Sequence, residues 1–212
     1  NGLVQLALYV IVLLLLVKPL GAYMANVYEG RSRMNRALGG VERGLYRLFG
    51  VRPGDEMTWK SYSVAVLLFN ALGLIAVYAL QRLQGFLPLN PQGFGATTPE
   101  LAFNTAVSFA TNTNWQSYGG ETTMSYATQM IGLTVQNFVS AATGMAVLVA
   151  LIRGIRQRSA QTVGNFWVDL TRSTLYILLP LSLLVALILV SQGVVQTWGS
   201  YATANFVQPT TD

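Results

Sequence analysis

The run from Thr111 to Gln116, TNTNWQ, concentrates oxygen-bearing groups in a stretch without helical periodicity. Thr111, Asn112, Thr113 and Asn114 offer backbone carbonyls, hydroxyls and carboxamides, and the run contains no carboxylate. Hard divalent ions call for anionic oxygens, so these residues suit a monovalent cation. A large one with weakly held water, such as potassium, is bound by replacing that water with several oxygen dipoles and no fixed charge. The threonine and asparagine side chains can also hold the loop by bonding to backbone.

Potassium-channel filters of the TVGYG kind rely on glycine for the dihedrals that aim successive carbonyls inward. This run has no glycine before Gly119. Asn112 and Asn114 are therefore expected to take part of that role, asparagine being the next most tolerant residue of left-handed backbone. The loop is not expected to be one of four identical ones.

The elements around the run decide whether it can face an ion path. It is preceded by TTPELAFNTAVSFA, in which Thr97 or Thr98 can cap a helix, Pro99 suits the first helical position and Glu100 complements the positive end. The apolar part, Leu101–Ala110, covers about 15 Å at 1.5 Å per residue, half the hydrocarbon thickness. Before it, GFLPLNPQGFGATTPE is too rich in proline and glycine for a continuous helix. A half-length helix, polar irregular chain and then a full helix form the layout of a pore loop, since irregular backbone survives at membrane depth only where protein buries it or water reaches it. The competing expectation is a helix and loop lying outside the membrane.

Only 10% of the 212 residues are charged and 52% are hydrophobic, which points to lipid. Apolar runs at Leu3–Val17, Tyr62–Leu80, Tyr126–Ile152 and Leu175–Val190 predict four spanning helices. The first is expected to stay in the mature protein, because no basic segment precedes it and Lys18-Pro19 follows it in place of a small-residue cleavage site. The absence of Cys and His removes disulfides, thiolate nucleophiles, imidazole ligands and Ser/His/Asp triads.

A net charge of +5 raises the question of nucleic acid, but the basic residues form no stripe with interleaved aromatics. Of the 13 Lys and Arg, all but Arg82 lie in two groups, one from Lys18 to Lys60 and one from Arg153 to Arg172 with Arg156 and Arg158. Four helices put both groups on one side, and the positive-inside rule makes that side cytoplasmic. Both ends of the chain and the stretch from about Gln81 to Ser125, with Glu100, Glu121 and Asp212, then face outward.

In the first basic loop, GVERGLYRLFG sets Val41, Leu45, Leu48 and Phe49 at helical spacing with Arg43 and Arg47 between them. A short helix on the inner membrane surface and a solvated loop that merely sets orientation both remain open. The third helix, expected from about Met124 to Arg153, carries Gln129, Gln136, Asn137 and Ser140 roughly on one face. Gly132, Gln136, Ser140 and Gly144 recur every four residues, so helix packing is the reading for most of these. Gln136 and Asn137 are kept as candidates for facing the pore. Asn70 reads as a helix–helix hydrogen bond and Pro180 as a tolerated kink.

The run NTAVSFATNTNWQSYGGETTMSYATQMIGLTVQNFVSAATGMAVLVALIRG resembles the first pore loop and following helix of the potassium-binding A subunit of the bacterial Kdp potassium-transporting ATPase. The resemblance extends to KPLG, GVERGLYRLFGV, MTWKSY, LPLNPQ and GNFWVDLTRSTLYILLP, nearly the whole chain. It implies an all-α polytopic membrane protein in the superfamily of potassium transporters, potassium-channel-like, with an extra N-terminal helix before its helix/pore-loop/helix repeats. The expected layout is that helix at 3–28, a cytoplasmic basic loop at 29–60 and a first repeat at 61–153, with pore helix 99–110 and filter 111–116. A cytoplasmic loop at 154–172, the first helix of a second repeat at 173–193 and the start of a periplasmic segment at 194–212 complete it.

By match to the motif, Thr111, Asn112, Thr113 and Asn114 would form the first quarter of a potassium filter and Gln116 its outer mouth. Potassium would be the substrate, with no organic cofactor. The subunit would have no ATPase chemistry of its own. It would sit in the bacterial plasma (inner) membrane, receive potassium from outside and pass it to a P-type ATPase B subunit, with small C and F subunits stabilising the complex. A single repeat cannot enclose an ion, so the chain is expected to be a fragment completed by the remaining repeats, the alternative being assembly with other chains to complete the ring. The alternatives are a Trk- or Ktr-like potassium transporter driven by ion gradients and a non-conducting structural membrane subunit.

Overall fold

A computed structural model describes residues 2–156 and 161–202. The expectations for Arg158, for Asp212 and for most of the carboxyl tail fall outside these residues. Every regular element among them is helical: α1 (Gly2–Tyr28), α2 (Arg33–Ala37), α3 (Gly39–Phe49), α4 (Trp59–Leu83), α5 (Pro99–Ala110), α6 (Gly120–Thr123), α7 (Val135–Arg156), α8 (Phe166–Arg172) and α9 (Leu179–Ser191). Four stretches are long and apolar enough to cross a membrane: Gly2–Ala37, Trp59–Phe86, Thr128–Arg156 and Phe166–Ser191.

Two of these are built with wide, five-residue turns, Thr128–Thr134 leading into α7 and Ser173–Leu178 joining α8 to α9. In the first, the Thr134 hydroxyl donates to the Gln129 carbonyl five residues back at 2.8 Å. The second precedes Pro180, which has no amide hydrogen to offer the Tyr176 carbonyl one turn earlier. The hydroxyl of Tyr23 in α1 donates to that carbonyl instead. The sequence placed the start of this last helix at 173, but α8 begins seven residues sooner because the Asn165 side chain accepts from the amides of Trp167 and Val168.

The chain divides into two compact units, one of residues up to Leu68 together with Ala141–Ile188, the other of Phe69–Ser140 together with residues from Leu189 onward. The first, called here the basic unit, has an apolar cluster of Val27, Tyr28, Tyr176 and Ile177. Beside it lie two buried carboxylates. Asp169, 1% exposed at its side chain, takes a two-pronged contact from Arg153 at 2.6 and 2.9 Å and a third from the Tyr62 hydroxyl at 3.1 Å. Glu42 accepts from Tyr46 at 2.7 Å, Tyr176 at 2.7 Å and Arg172 at 2.9 Å, and Arg172 also donates to the Tyr28 carbonyl at 2.6 Å.

Glu42 explains the orientation of α3. The helix buries Glu42 and Tyr46 and leaves Val41, Leu48 and Phe49 exposed, the reverse of a helix packed on a water-soluble core. Burial acts to raise the Glu42 carboxyl, but the hydrogen bonds from Tyr176, Tyr46 and Arg172 and the arginine charge outweigh it and hold the group below its ordinary value. Burial and the adjacent carboxylate push the Tyr46 hydroxyl up.

The other unit, the loop unit, packs Val77, Ala106, Phe109, Met124 and Leu133 around α5, with Leu74, Tyr78 and Tyr118 against them. It carries the oxygen-rich run.

Candidate functional site: the loop after α5

Helix α5 forms where its sequence punctuates it. Of the two threonines able to cap, Thr98 does so, accepting from the Leu101 amide at 3.3 Å, and Pro99 takes the first turn where no amide is needed. Ala102, Ala106 and Ala110 are small enough to bring the helix close to its neighbours, and with Thr105, Ser108 and Phe109 they make up its buried face.

The end of α5 is set by Asn112, whose φ is 58°. A left-handed residue just past a helix allows the next two amides to fold back onto the last turn. The Thr113 amide donates to the Ser108 carbonyl at 2.9 Å and the Asn112 amide to Phe109 at 3.3 Å. The Thr111 amide reaches Val107 at 2.9 Å and the Asn114 amide shares Ser108 at 3.2 Å. Asn114 is left-handed as well, with φ 57°, while Thr111 between helix and loop has φ −85°.

The consequence is a separation of the two halves of each peptide group. All four amides from Thr111 to Asn114 are used on the carboxyl end of α5, while no described residue donates to any of the four carbonyls. Side chains brace the same turn. The Thr111 hydroxyl donates to the Val107 carbonyl at 2.8 Å and lies 3.1 Å from the Thr113 hydroxyl, and the Asn114 amide nitrogen donates to the Asn112 side-chain oxygen at 3.3 Å. Thr111, Asn112, Thr113, Asn114 and Gln116 are all exposed. The Gln116 amide donates to the Tyr118 hydroxyl at 3.1 Å, and burial holds that hydroxyl above its ordinary value, so it stays neutral.

The two residues further along the third helix part company. Gln136 is 5% exposed and lies against Gly73 of α4, where an added Cβ would come 2.9 Å from its carboxamide carbon. Its nitrogen meets no acceptor among the described residues. Asn137 is exposed, and Gln129 turns its nitrogen to the carbonyls of Met124 at 2.8 Å and Gly120 at 3.2 Å. The single polar face expected from Gln129 to Ser140 does not form, because the wide turn at Thr128–Thr134 breaks the 3.6-residue period between them.

Sequence reasoning passed over the polar residues at the end of α4. Gln81, fully buried, donates to Ala102 in α5 at 3.1 Å, and Arg82 donates to the Thr97 carbonyl just before it. Gln84 is fully buried too. The signal was present as QRLQ closing an apolar run ahead of the loop. No group of three or more His, Cys, Asp and Glu able to hold a metal occurs among the described residues.

Fold and loop together define a class: all-helical, multi-pass membrane chains in which a half-length helix and an oxygen-rich irregular segment interrupt the succession of long apolar helices. The family model described as "Potassium-transporting ATPase A subunit" matches residues 7–212, and the chain belongs to that family. It is 66% identical over 210 residues to the potassium-transporting ATPase potassium-binding subunit of Methylococcus capsulatus, covering 99% of this chain and 35% of that protein. The subunit of the same name from Sorangium cellulosum is 65% identical over 213 residues, covering 100% and 37%. That from Herpetosiphon aurantiacus is 58% identical over 209 residues, covering 99% and 36%. The chain thus spans about a third of the length of the curated relatives it matches.

Proposed function

We propose that the chain is the first part of the potassium-binding subunit of an ATP-driven potassium uptake complex, and that Thr111 to Asn114 form one of several unequal segments of its selectivity filter. The observation that carries this reading is the set of four carbonyls to which no described residue donates, beside the left-handed turns at Asn112 and Asn114. A dehydrated potassium ion needs such neutral oxygens. The carboxyl end of α5 adds a negative partial charge of about half an electron at the same place. Gln116 forms the outer mouth, and the remaining repeats of the same subunit close the ring.

The relatives' names support the ion and the ATPase. Within the complex this subunit hydrolyses nothing. It hands potassium to the catalytic P-type B subunit, with C and F subunits as further partners. The two basic regions and the exposed apolar side of α3, with Arg43 and Arg47, face the cytoplasmic surface of the plasma membrane, where anionic lipid attracts arginine. The stretch from about Gln81 to Ser125 faces outward.

The test is Gln116→Arg in the complete complex. A unit charge about 8 Å from the ion, at an effective dielectric of about 20, costs roughly 2 kcal/mol. The half-saturating potassium concentration for uptake should therefore rise about thirtyfold with the maximal rate little changed. An unaltered concentration dependence would remove Gln116 from the mouth.

A further inference from the structure

Gln84 opens the short turn Gln84–Phe86 that follows α4, and its side chain is 0% exposed. A carboxamide has two hydrogens to give and two lone pairs to receive. Here all four are used, and by different parts of the chain. The nitrogen donates to the Gly95 carbonyl at 2.6 Å, in the linker that enters α5, and to the Thr123 carbonyl at 2.9 Å, where the chain leaves the loop. The oxygen accepts from the Ser125 amide and the Thr128 hydroxyl, each at 3.1 Å.

Those contacts reach further through their partners. The Ser125 hydroxyl donates to Thr128 at 3.0 Å and accepts from the Thr128 amide at 3.2 Å, so Gln84 is joined to the hydrogen bonds that start the third helix. Its own carbonyl accepts from the Asn90 side chain at 3.3 Å, and Asn90 closes the linker by exchanging bonds with Phe94 at 2.9 and 3.0 Å. One turn earlier on α4, Gln81 holds Ala102. Between these anchors the residues from Thr111 to Ser117 are exposed and bonded mainly to one another and to the end of α5. The distance between the loop's two ends is thus set by Gln81 on the entry side and by Gln84 across both sides.

We propose that Gln84 is a positioning residue for cation discrimination: its carboxamide clamps the exit of the loop to its entry linker and so fixes the spacing at which the free carbonyls meet an ion. This rests on the potassium-filter reading above. A filter tells cations apart by the number and arrangement of its oxygens, so a loosened exit should admit smaller, more strongly hydrated ions. The clamp is neutral and adds no fixed charge of its own. A buried glutamine serving only to pack would change the amount of folded protein and leave discrimination alone.

The experiment uses the complete complex in vesicles, with Gln84→Met, Gln84→Glu and Thr128→Val, and measures potassium uptake with and without competing sodium. Met keeps the volume and no hydrogen bond. Glu keeps both acceptor positions and sets an oxygen against the Gly95 and Thr123 carbonyls. Each should raise half-saturation for potassium about tenfold, as the loss of one or two net hydrogen bonds would. Each should also lower the preference for potassium over sodium, with the rate at saturating potassium per assembled complex retained. Thr128→Val removes one of the four contacts at nearly constant shape and should give a shift of about threefold in the same direction. It keeps the test decisive if the Gln84 variants fail to assemble. A wild-type complex without saturable potassium uptake would overturn the filter reading itself. Saturable wild-type uptake with unchanged potassium-over-sodium preference in the assembled variants would overturn the role of Gln84 alone.

Discussion

The basic unit and the loop unit both bury polar side chains, and they neutralise them by different means. All three ion pairs found among the described residues lie in the basic unit. Two of them sit in the interior, at Asp169 and Glu42. In the loop unit the buried polar residues include Gln81, Gln84, Ser125, Thr128 and Gln136, which carry dipoles and no charge. The energy of a fixed charge falls only as the inverse of distance, so at low dielectric it reaches across a whole helix bundle. Near a path for a cation it would either hold the ion too firmly or turn it away. Amide and hydroxyl dipoles act over shorter range, which under the proposed filter reading would leave discrimination to the geometry of the loop. Away from an ion path, a buried pair is an acceptable lock.

The sharpest way to break this contrast is Asp169→Asn. It strands Arg153 opposite a neutral partner, and removing one member of a buried pair costs about 3–5 kcal/mol. Arg153 keeps 28% of its side-chain exposure, which places the loss toward the lower end. Thermal unfolding of the detergent-solubilised complex should show a large drop, with the potassium concentration dependence of the surviving protein unchanged. A shift in that dependence would mean that the charges of the basic unit do act on the ion site.

Acid titration at Glu42 is a second, smaller test. Its carboxyl is held below the ordinary value of about 4.3. Its stabilisation is therefore complete above that value and lost as pH falls through the lower, folded one. The stability gap between wild type and Glu42→Gln, about 1.5–3 kcal/mol for bonds to a charged group, should be flat from pH 7 to about pH 5 and close below about pH 4. A gap that widened on acidification would contradict the sign of the shift.

The smallest effect belongs to the loop unit. Asn112→Ala forces a Cβ without a compensating side-chain bond into φ 58°, at a cost of about 1–2 kcal/mol, whereas Asn112→Gly relieves that strain. Potassium affinity should fall about tenfold in the first and much less in the second. Equal losses would show that the asparagine side chain, and not its backbone, is what the loop needs.

How far such features could be read beforehand follows from their range along the chain. The four apolar stretches are local and show in hydropathy. Helix α5 is legible because Thr98-Pro99-Glu100 begins it and its length is too short to cross. The left-handed turn is legible at Asn112 because few residues tolerate it. The contacts of Gln84 with Thr123, Ser125 and Thr128 span 39 to 44 residues, and that of Glu42 with Arg172 spans 130, so one sequence does not reveal them. Arg172 read as one more orientation-setting charge, although it is largely withdrawn from solvent. The wide turns at Thr128–Thr134 and Ser173–Leu178 leave no mark in a pattern analysed at 3.6 residues per turn.

The hydroxyl of Tyr23 on the carbonyl that Pro180 leaves free joins residues 153 positions apart. A ribosome adding roughly 5–20 residues per second takes about 8–30 s to cover that interval. Residues 2–22 of α1 are exposed, and the tyrosine contact can form only after the helix that carries Tyr176 has been synthesised. The order of synthesis is therefore part of how the basic unit closes.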